Sequence, residues 1–155
     1  MALEIERKFL VVNDAWRGQA DQGCRLRQAY LGRDPAVRVR IAGEEARLTI
    51  KGAGQGIVRP EFEYPIALTD ASEMFKLAIL PIVEKTRFRV HEADLCWEVD
   101  VFEGENIGLV MAEIELSHPD QAFDRPLWLG AEVSGEARYL NVNLAANPYR
   151  HWVAS

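Results

Sequence analysis

Along most of this chain, charged side chains occupy one parity of the sequence and apolar side chains the other. In Glu4-Ile5-Glu6-Arg7-Lys8-Phe9, an extended strand places Glu4, Glu6 and Lys8 on one face and Leu3, Ile5 and Phe9 on the other, with Arg7 the exception on the apolar side. The pattern returns at residues 37–41 (Arg38, Arg40), 46–51 (Arg47, Thr49, Lys51), 57–64 (Arg59, Glu61, Glu63) and 82–91 (Lys85, Arg87, Arg89). It continues at 95–102 (Glu98, Asp100) and 109–117 (Glu113, Glu115). Residues 24–31 make an eighth segment, whose inward parity stays open between Arg25, Arg27 and Ala29 on one side and Leu26, Gln28 and Tyr30 on the other. A period of two in so many short segments, joined mostly by turns, calls for an antiparallel sheet.

The joins agree. Asn13-Asp14 suits the start of a helical turn through Trp16, Asp21-Gln22-Gly23 and Gly43-Glu44-Glu45 read as turns, and Gly52-Ala53-Gly54-Gln55-Gly56 reads as a hairpin loop. That loop lacks the following helix and Lys-Ser/Thr end of a phosphate-binding loop. Pro60 marks an irregularity or an unpaired edge. Asp70 and Glu73 have capping-box spacing, and Met74, Leu77, Ala78 and Leu80 predict a helix that Pro81 stops. A final helix is expected to open at Ser134 or Gly135 and to end at Asn147-Pro148. No linker or repeat divides the chain, so residues 1–155 read as one domain.

Like charges are segregated within strands: Glu4/Glu6, Arg38/Arg40, Glu61/Glu63, Lys85/Arg87/Arg89 and Glu113/Glu115. A sheet with one solvated face gives the same alternation but normally mixes signs along that face. Repeated like-charge pairs call for bound counterions. Carboxylates suit divalent metal and Lys/Arg suit phosphate oxygens, so both sets on one surface point to a polyanion held together with metal. The apolar parity needs cover, which helices supply if the sheet closes into a barrel with a polar interior. Two open sheets would give nearly the same string.

Composition narrows the classes. With 48% hydrophobic and 27% charged residues over 155 positions, the chain suits a globular core. A net charge of −6 argues against a broadly basic nucleic-acid surface. No run has the length and apolarity of a bilayer span and the first residues are not a signal peptide, so no membrane partner and a cytoplasmic location are expected. Cys24 and Cys96 read as reduced thiols, and His91, His118 and His151 lack a paired nucleophile.

Glu4-Ile5-Glu6-Arg7-Lys8 near the N-terminus resembles the signature of the CYTH superfamily, the triphosphate tunnel metalloenzymes. The likeness continues in order through Arg38-Val39-Arg40, Leu48-Thr49-Ile50-Lys51, Glu61-Phe62-Glu63, Glu84-Lys85-Thr86-Arg87, Glu98-Val99-Asp100 and Ala112-Glu113-Ile114-Glu115. Phe102 to Leu109 and the ending Arg138-Tyr139-Leu140-Asn141 also resemble short bacterial members. The resemblance implies an α+β, mainly β fold: an eight-stranded antiparallel closed tunnel with a charged interior and helices packed outside.

It also implies a metal-dependent triphosphatase acting on the terminal phosphoanhydride of inorganic tripolyphosphate, with Mg²⁺ or Mn²⁺ as cofactor and a small-molecule triphosphate as substrate. By the same resemblance, Lys8, Arg38, Arg40, Lys51, Lys85 and Arg87 would bind phosphate oxygens, with Arg138 reaching in from the last helix and Arg89 a further candidate. Lys85 and Arg87 would also take part in catalysis. Glu4, Glu6, Glu113 and Glu115 would hold metal, and Glu61, Glu63 and Asp100 would serve a second metal or orient the attacking water. Thiamine triphosphatase, nucleoside triphosphatase and class IV adenylyl cyclase would use the same charges, and a non-catalytic polyphosphate sensor would keep the tunnel. The apolar outer wall suits a homodimer interface.

Overall fold

The alternating segments all become strands in the computed structural model, which describes residues 3–152. In chain order these are β1 (Leu3–Val11), β2 (Cys24–Arg33), β3 (Ala36–Ala42), β4 (Glu45–Lys51), β5 (Val58–Ile66), β6 (Val83–Glu92), β7 (Leu95–Phe102) and β8 (Val110–Glu115). Helix α1 (Leu68–Met74) lies between β5 and β6, and a further strand β9 (Leu129–Glu132) and helix α2 (Asn141–Ala146) follow β8. Around the sheet the order is β5-β4-β3-β2-β6-β7-β8-β1, and β5 returns to pair with β1, so eight antiparallel strands close into a barrel.

The closing seam is short. It consists of Leu3↔Pro60, Glu4↔Arg59 and Ile5↔Val58, whereas β5 pairs with β4 over Glu61 to Ile66. Pro60, with no N–H to offer a ladder, stands where β5 changes partner. Beyond the seam the same edge of β1 receives β9 at Phe9↔Glu132 and Val11↔Leu129. This explains the parity exception: Arg7 lies on the outer face and grips Glu132 through two hydrogen bonds of 2.8 and 2.6 Å.

The apolar parity forms the outer wall. Phe9, Val90, Trp97, Val99, Ala112 and Ile114 pack under Trp16 from the Ala15–Gln19 turn and Trp128 from the tail. Ala71, Met74 and Phe75 cover Val39 and Ala46. A third cluster lies across one end of the barrel, where Tyr30, Val83, Phe102 and Met111 meet Val133, Tyr139, Leu144 and Ala145.

Two expected helix starts do not form. Helix α1 begins after Ala67 with no side-chain cap, so Asp70 falls in its first turn, and Glu73 bonds Lys76 at 2.8 Å instead of closing a box. Burial of Ala71 against β3 and β4 fixes where this helix sits. Ser134 opens no helix because it ties β9 to β1: its hydroxyl accepts from Lys8 N at 2.9 Å and donates to Glu132 at 2.7 Å. The last helix starts seven residues later, at Asn141, and closes the barrel end. No helix among the described residues is long and apolar enough to cross a membrane.

Candidate active site

Closure turns the charged parity inward. A cavity of about 540 Å³ runs into the barrel, and its lining resolves the parity left open in β2: Cys24, Leu26 and Tyr30 face it. Arg25 and Arg27 lie outside and pair with Glu84. Strand order then sorts the charges into two walls. Adjacent strands β7, β8, β1 and β5 bring Glu98, Glu113, Glu115, Glu4, Glu6, Glu61 and Glu63; strands β4, β3 and, across the uncharged β2 face, β6 bring Arg47, Lys51, Arg38, Arg40, Lys85, Arg87 and Arg89, with Glu45 of β4 the carboxylate on this side. Lys8 and Arg59 are the cations on the acidic side.

Ion pairs bridge the walls. Lys51 contacts Glu4 at 2.9 Å and Glu61 at 3.2 Å, whereas within the acidic wall Lys8 lies 3.5 Å from Glu113. Arg38 lies 3.9 Å from Glu63, which also accepts from Thr49 at 3.0 Å. Burial alone would lower the Lys51 ammonium, but Glu6 and Glu4 carry it above its ordinary value.

The floor is the most tightly satisfied part. Asp100 is wholly buried and binds Arg87 through both oxygens, at 2.8 and 2.9 Å, while Lys85 reaches it at 2.7 Å. Burial would raise the Asp100 carboxyl, yet Arg87 and Lys85 hold it below the usual range. Burial pushes Lys85 down to about 7 despite Asp100. Arg40 falls to about 10 through burial and the neighbouring Arg38 and Arg87. Glu113 stays well below the usual carboxylate range, because Lys8, Arg87 and Lys85 outweigh the effect of burial.

Some groups are left over. Among the described residues Glu6 and Glu115 have no ion-pair partner, although they face each other in register across β1 and β8. Burial and repulsion from Glu113 push the Glu6 carboxyl up to about 8, and burial with Glu4 and Glu98 raises that of Glu115. Glu4 is also raised, by burial first, against the pull of Lys51. Two facing carboxylates that resist ionisation, with Glu4 beside them, fit a hard divalent cation. Among the described residues no three acidic groups already converge on one point, so oxygens of substrate and water would complete such a site. On the cationic side, among the described residues, Arg38 Nε is buried without a partner and Arg40 has no ion pair.

The expected residues are thus largely brought together: Glu4, Glu6, Lys8, Arg38, Arg40, Lys51, Glu61, Glu63, Lys85, Arg87, Glu113 and Glu115 all line the cavity, as does Arg89. Two are placed differently. Asp100 lies behind the lining with both oxygens occupied by cations, in the position of a counter-ion rather than a free ligand. Arg138 does not reach in; its guanidinium stacks 4.6 Å from the Trp152 ring and pairs with Glu136 on the surface. Residues not singled out beforehand include Glu98, 3.2 Å from Arg87, and the amides Gln28 and Asn141. Parity marks Glu98 beside Asp100, but neither amide carries a charge that parity can reveal.

The fold has known counterparts. A CYTH domain model matches residues 2–149. The inorganic triphosphatase of Acetivibrio thermocellus is 44% identical over 155 residues, covering 98% of this chain and 99% of the relative. That of Nitrosomonas europaea is 36% identical over 149 residues, covering 92% and 96%. The solved structure of the inorganic triphosphatase NE1496 superposes with a TM-score of 0.68 at 34% identity, over 100% of this chain and 99% of that one. Matched along nearly its whole length, the chain belongs to the CYTH domain family.

Proposed function

We propose that this protein, acting as one domain over residues 1–155, hydrolyses the terminal phosphoanhydride of inorganic tripolyphosphate to pyrophosphate and orthophosphate. The carrying observation is the opposition of a cationic and a carboxylate wall inside the cavity of one closed barrel, with Glu6 and Glu115 left without an ion-pair partner among the described residues. Whole-length relatives bearing the name inorganic triphosphatase support the reading. A cytoplasmic location fits such a small-molecule enzyme.

Family membership implies a divalent metal. We take it to be Mg²⁺ or Mn²⁺, held by Glu6, Glu115 and Glu4, with Glu113 beside them. When bound, the metal neutralises phosphoryl oxygens and offsets the repulsion between a polyanion and the acidic wall.

The remaining work falls to the protein. Arg38 and Arg40 offer guanidinium N–H groups that acceptors among the described residues leave free, while Lys8, Lys51, Lys85 and Arg87 supply charge along the same cavity. In-line attack by water forms one P–O bond as the bridging P–O bond breaks, and pyrophosphate leaves with the bonding electron pair. The cations neutralise the charge that grows on the leaving group. Glu61 and Glu63 line the cavity, and we assign to them the work of orienting the water and accepting its proton.

The test is orthophosphate release from tripolyphosphate, ATP, thiamine triphosphate and pyrophosphate, each with Mg²⁺, Mn²⁺ or EDTA. Metal-dependent turnover that favours tripolyphosphate is expected. Preference for an organic triphosphate would overturn the substrate, and no turnover of any would overturn the activity.

A further inference from the structure

The motif Arg138-Tyr139-Leu140-Asn141 brings a different residue to the tunnel from the one its charge suggests. Asn141 is buried at the end of the cavity, where α2 closes the barrel. Its Oδ1 accepts from Lys85 Nζ at 2.9 Å and from Gln28 Nε2 at 3.2 Å. Gln28, itself wholly buried, accepts at Oε1 from Arg40 Nε at 3.0 Å.

This chain of bonds fixes both amides. Arginine can only donate, so Gln28 must turn its oxygen to Arg40 and its NH₂ to Asn141. Asn141 must therefore turn its oxygen to Gln28 and Lys85, which leaves its own NH₂ on the other side. That NH₂ donates to no protein atom among the described residues, and Asn141 lines the cavity. Because Asn141 lines the cavity beside Lys85, this neutral donor is available to a ligand in the lumen.

We propose that Asn141 is a substrate-binding residue: its Nδ2 donates to a phosphoryl oxygen at the inner end of the polyanion, while its Oδ1 keeps Lys85 and Gln28 in position. This rests on the triphosphate reading given above. The neighbouring structure is built to hold the amide there. Arg33 donates to Asn143 Oδ1 at 3.0 Å, Asn143 Nδ2 donates to Ala137 O at 2.8 Å, and Leu144 is wholly buried below.

Three proteins separate the donor from other roles. Asn141→Asp keeps the oxygen facing Lys85 and Gln28 but removes the donor and adds charge. Asn141→Leu removes donor and acceptor with no charge. Calorimetric titration with tripolyphosphate, with EDTA and again with Mn²⁺, measures binding without relying on turnover, and melting curves check the fold. Both variants are expected to bind about tenfold to a hundredfold more weakly than wild type, the range for losing a hydrogen bond to a charged group. The loss should appear as a raised KM for tripolyphosphate in turnover.

Weakening in Asn141→Asp alone would reduce the effect to charge repulsion and overturn the proposal. Weakening in Asn141→Leu alone would leave Asn141 as a prop for Lys85, with the same consequence. Unchanged binding in both would remove any role for the side chain. Failure of the wild type itself to bind tripolyphosphate, with or without Mn²⁺, would instead overturn the reading of function, and this inference with it.

Discussion

Asp100 and Glu6 are carboxylates of the same barrel interior, yet their surroundings are opposite. Asp100 sits at the floor with Arg87 on both oxygens and Lys85 at 2.7 Å, and its carboxyl is held below the usual range. Glu6 faces Glu115 across β1 and β8 with no cation of its own among the described residues, and its carboxyl is pushed up to about 8. The difference assigns them different work. Charges at the floor neutralise one another and preorganise the cations, whereas those between β1 and β8 require a cation from solution.

Breaking the floor should cost the most stability. Asp100→Asn leaves the buried Lys85 without its carboxylate and Arg87 with only Glu98 and Glu113, each at 3.2 Å, so unfolding by denaturant should show a loss of about 3–5 kcal/mol. A loss below about 1 kcal/mol would mean that water or other carboxylates satisfy those cations. Glu6→Gln should do the reverse. It removes a strained charge, so stability should hold or rise, while metal-dependent phosphate release falls by roughly two orders of magnitude.

Melting curves against pH sharpen the contrast. The folded protein raises Glu6 from an ordinary 4.5 to about 8, so its neutral form favours the fold. That contribution is complete below about 4.5 and is lost as pH rises through 8. Wild type without metal should therefore lose stability over this window relative to Glu6→Gln, and a divalent cation should offset the loss. Asp100 and Glu113 are depressed, so their contribution is present above ordinary carboxylate values and fades as pH falls through the lowered ones. The smallest effect belongs to Arg138→Ala, which removes a surface ion pair, stacking on Trp152 and Tyr139, and a long hydrogen bond to the Tyr139 hydroxyl. It should cost less than about 1 kcal/mol and change turnover by no more than about twofold.

Parity made most of this fold legible. The alternation of Trp97, Val99 and Val101 with Glu98 and Asp100 predicts residues 95–102, which are the bounds of β7. It brought a dozen charged residues to one cavity because a barrel gives inward parity a single place to go. What it cannot read is depth or tertiary tethering. Glu113 and Asp100 share a parity rule with Glu6, and only three-dimensional placement of Arg87 and Lys85 separates them. Strand β9, four residues with Gly130 and Ala131 at its centre, has little pattern of its own and exists on the free edge of β1 beside the Arg7–Glu132 pair. Asn141 was hidden because it is uncharged and meets Gln28 from 113 positions away.

The most direct measurement is Mn²⁺ binding followed by electron paramagnetic resonance in wild type, Glu6→Gln and Glu115→Gln, with tripolyphosphate present. Wild type should hold the ion, and each substitution should weaken it at least about tenfold while the protein stays folded. Unchanged Mn²⁺ affinity in both variants would contradict the assignment of the unpaired β1–β8 carboxylates as the metal-holding part of the tunnel.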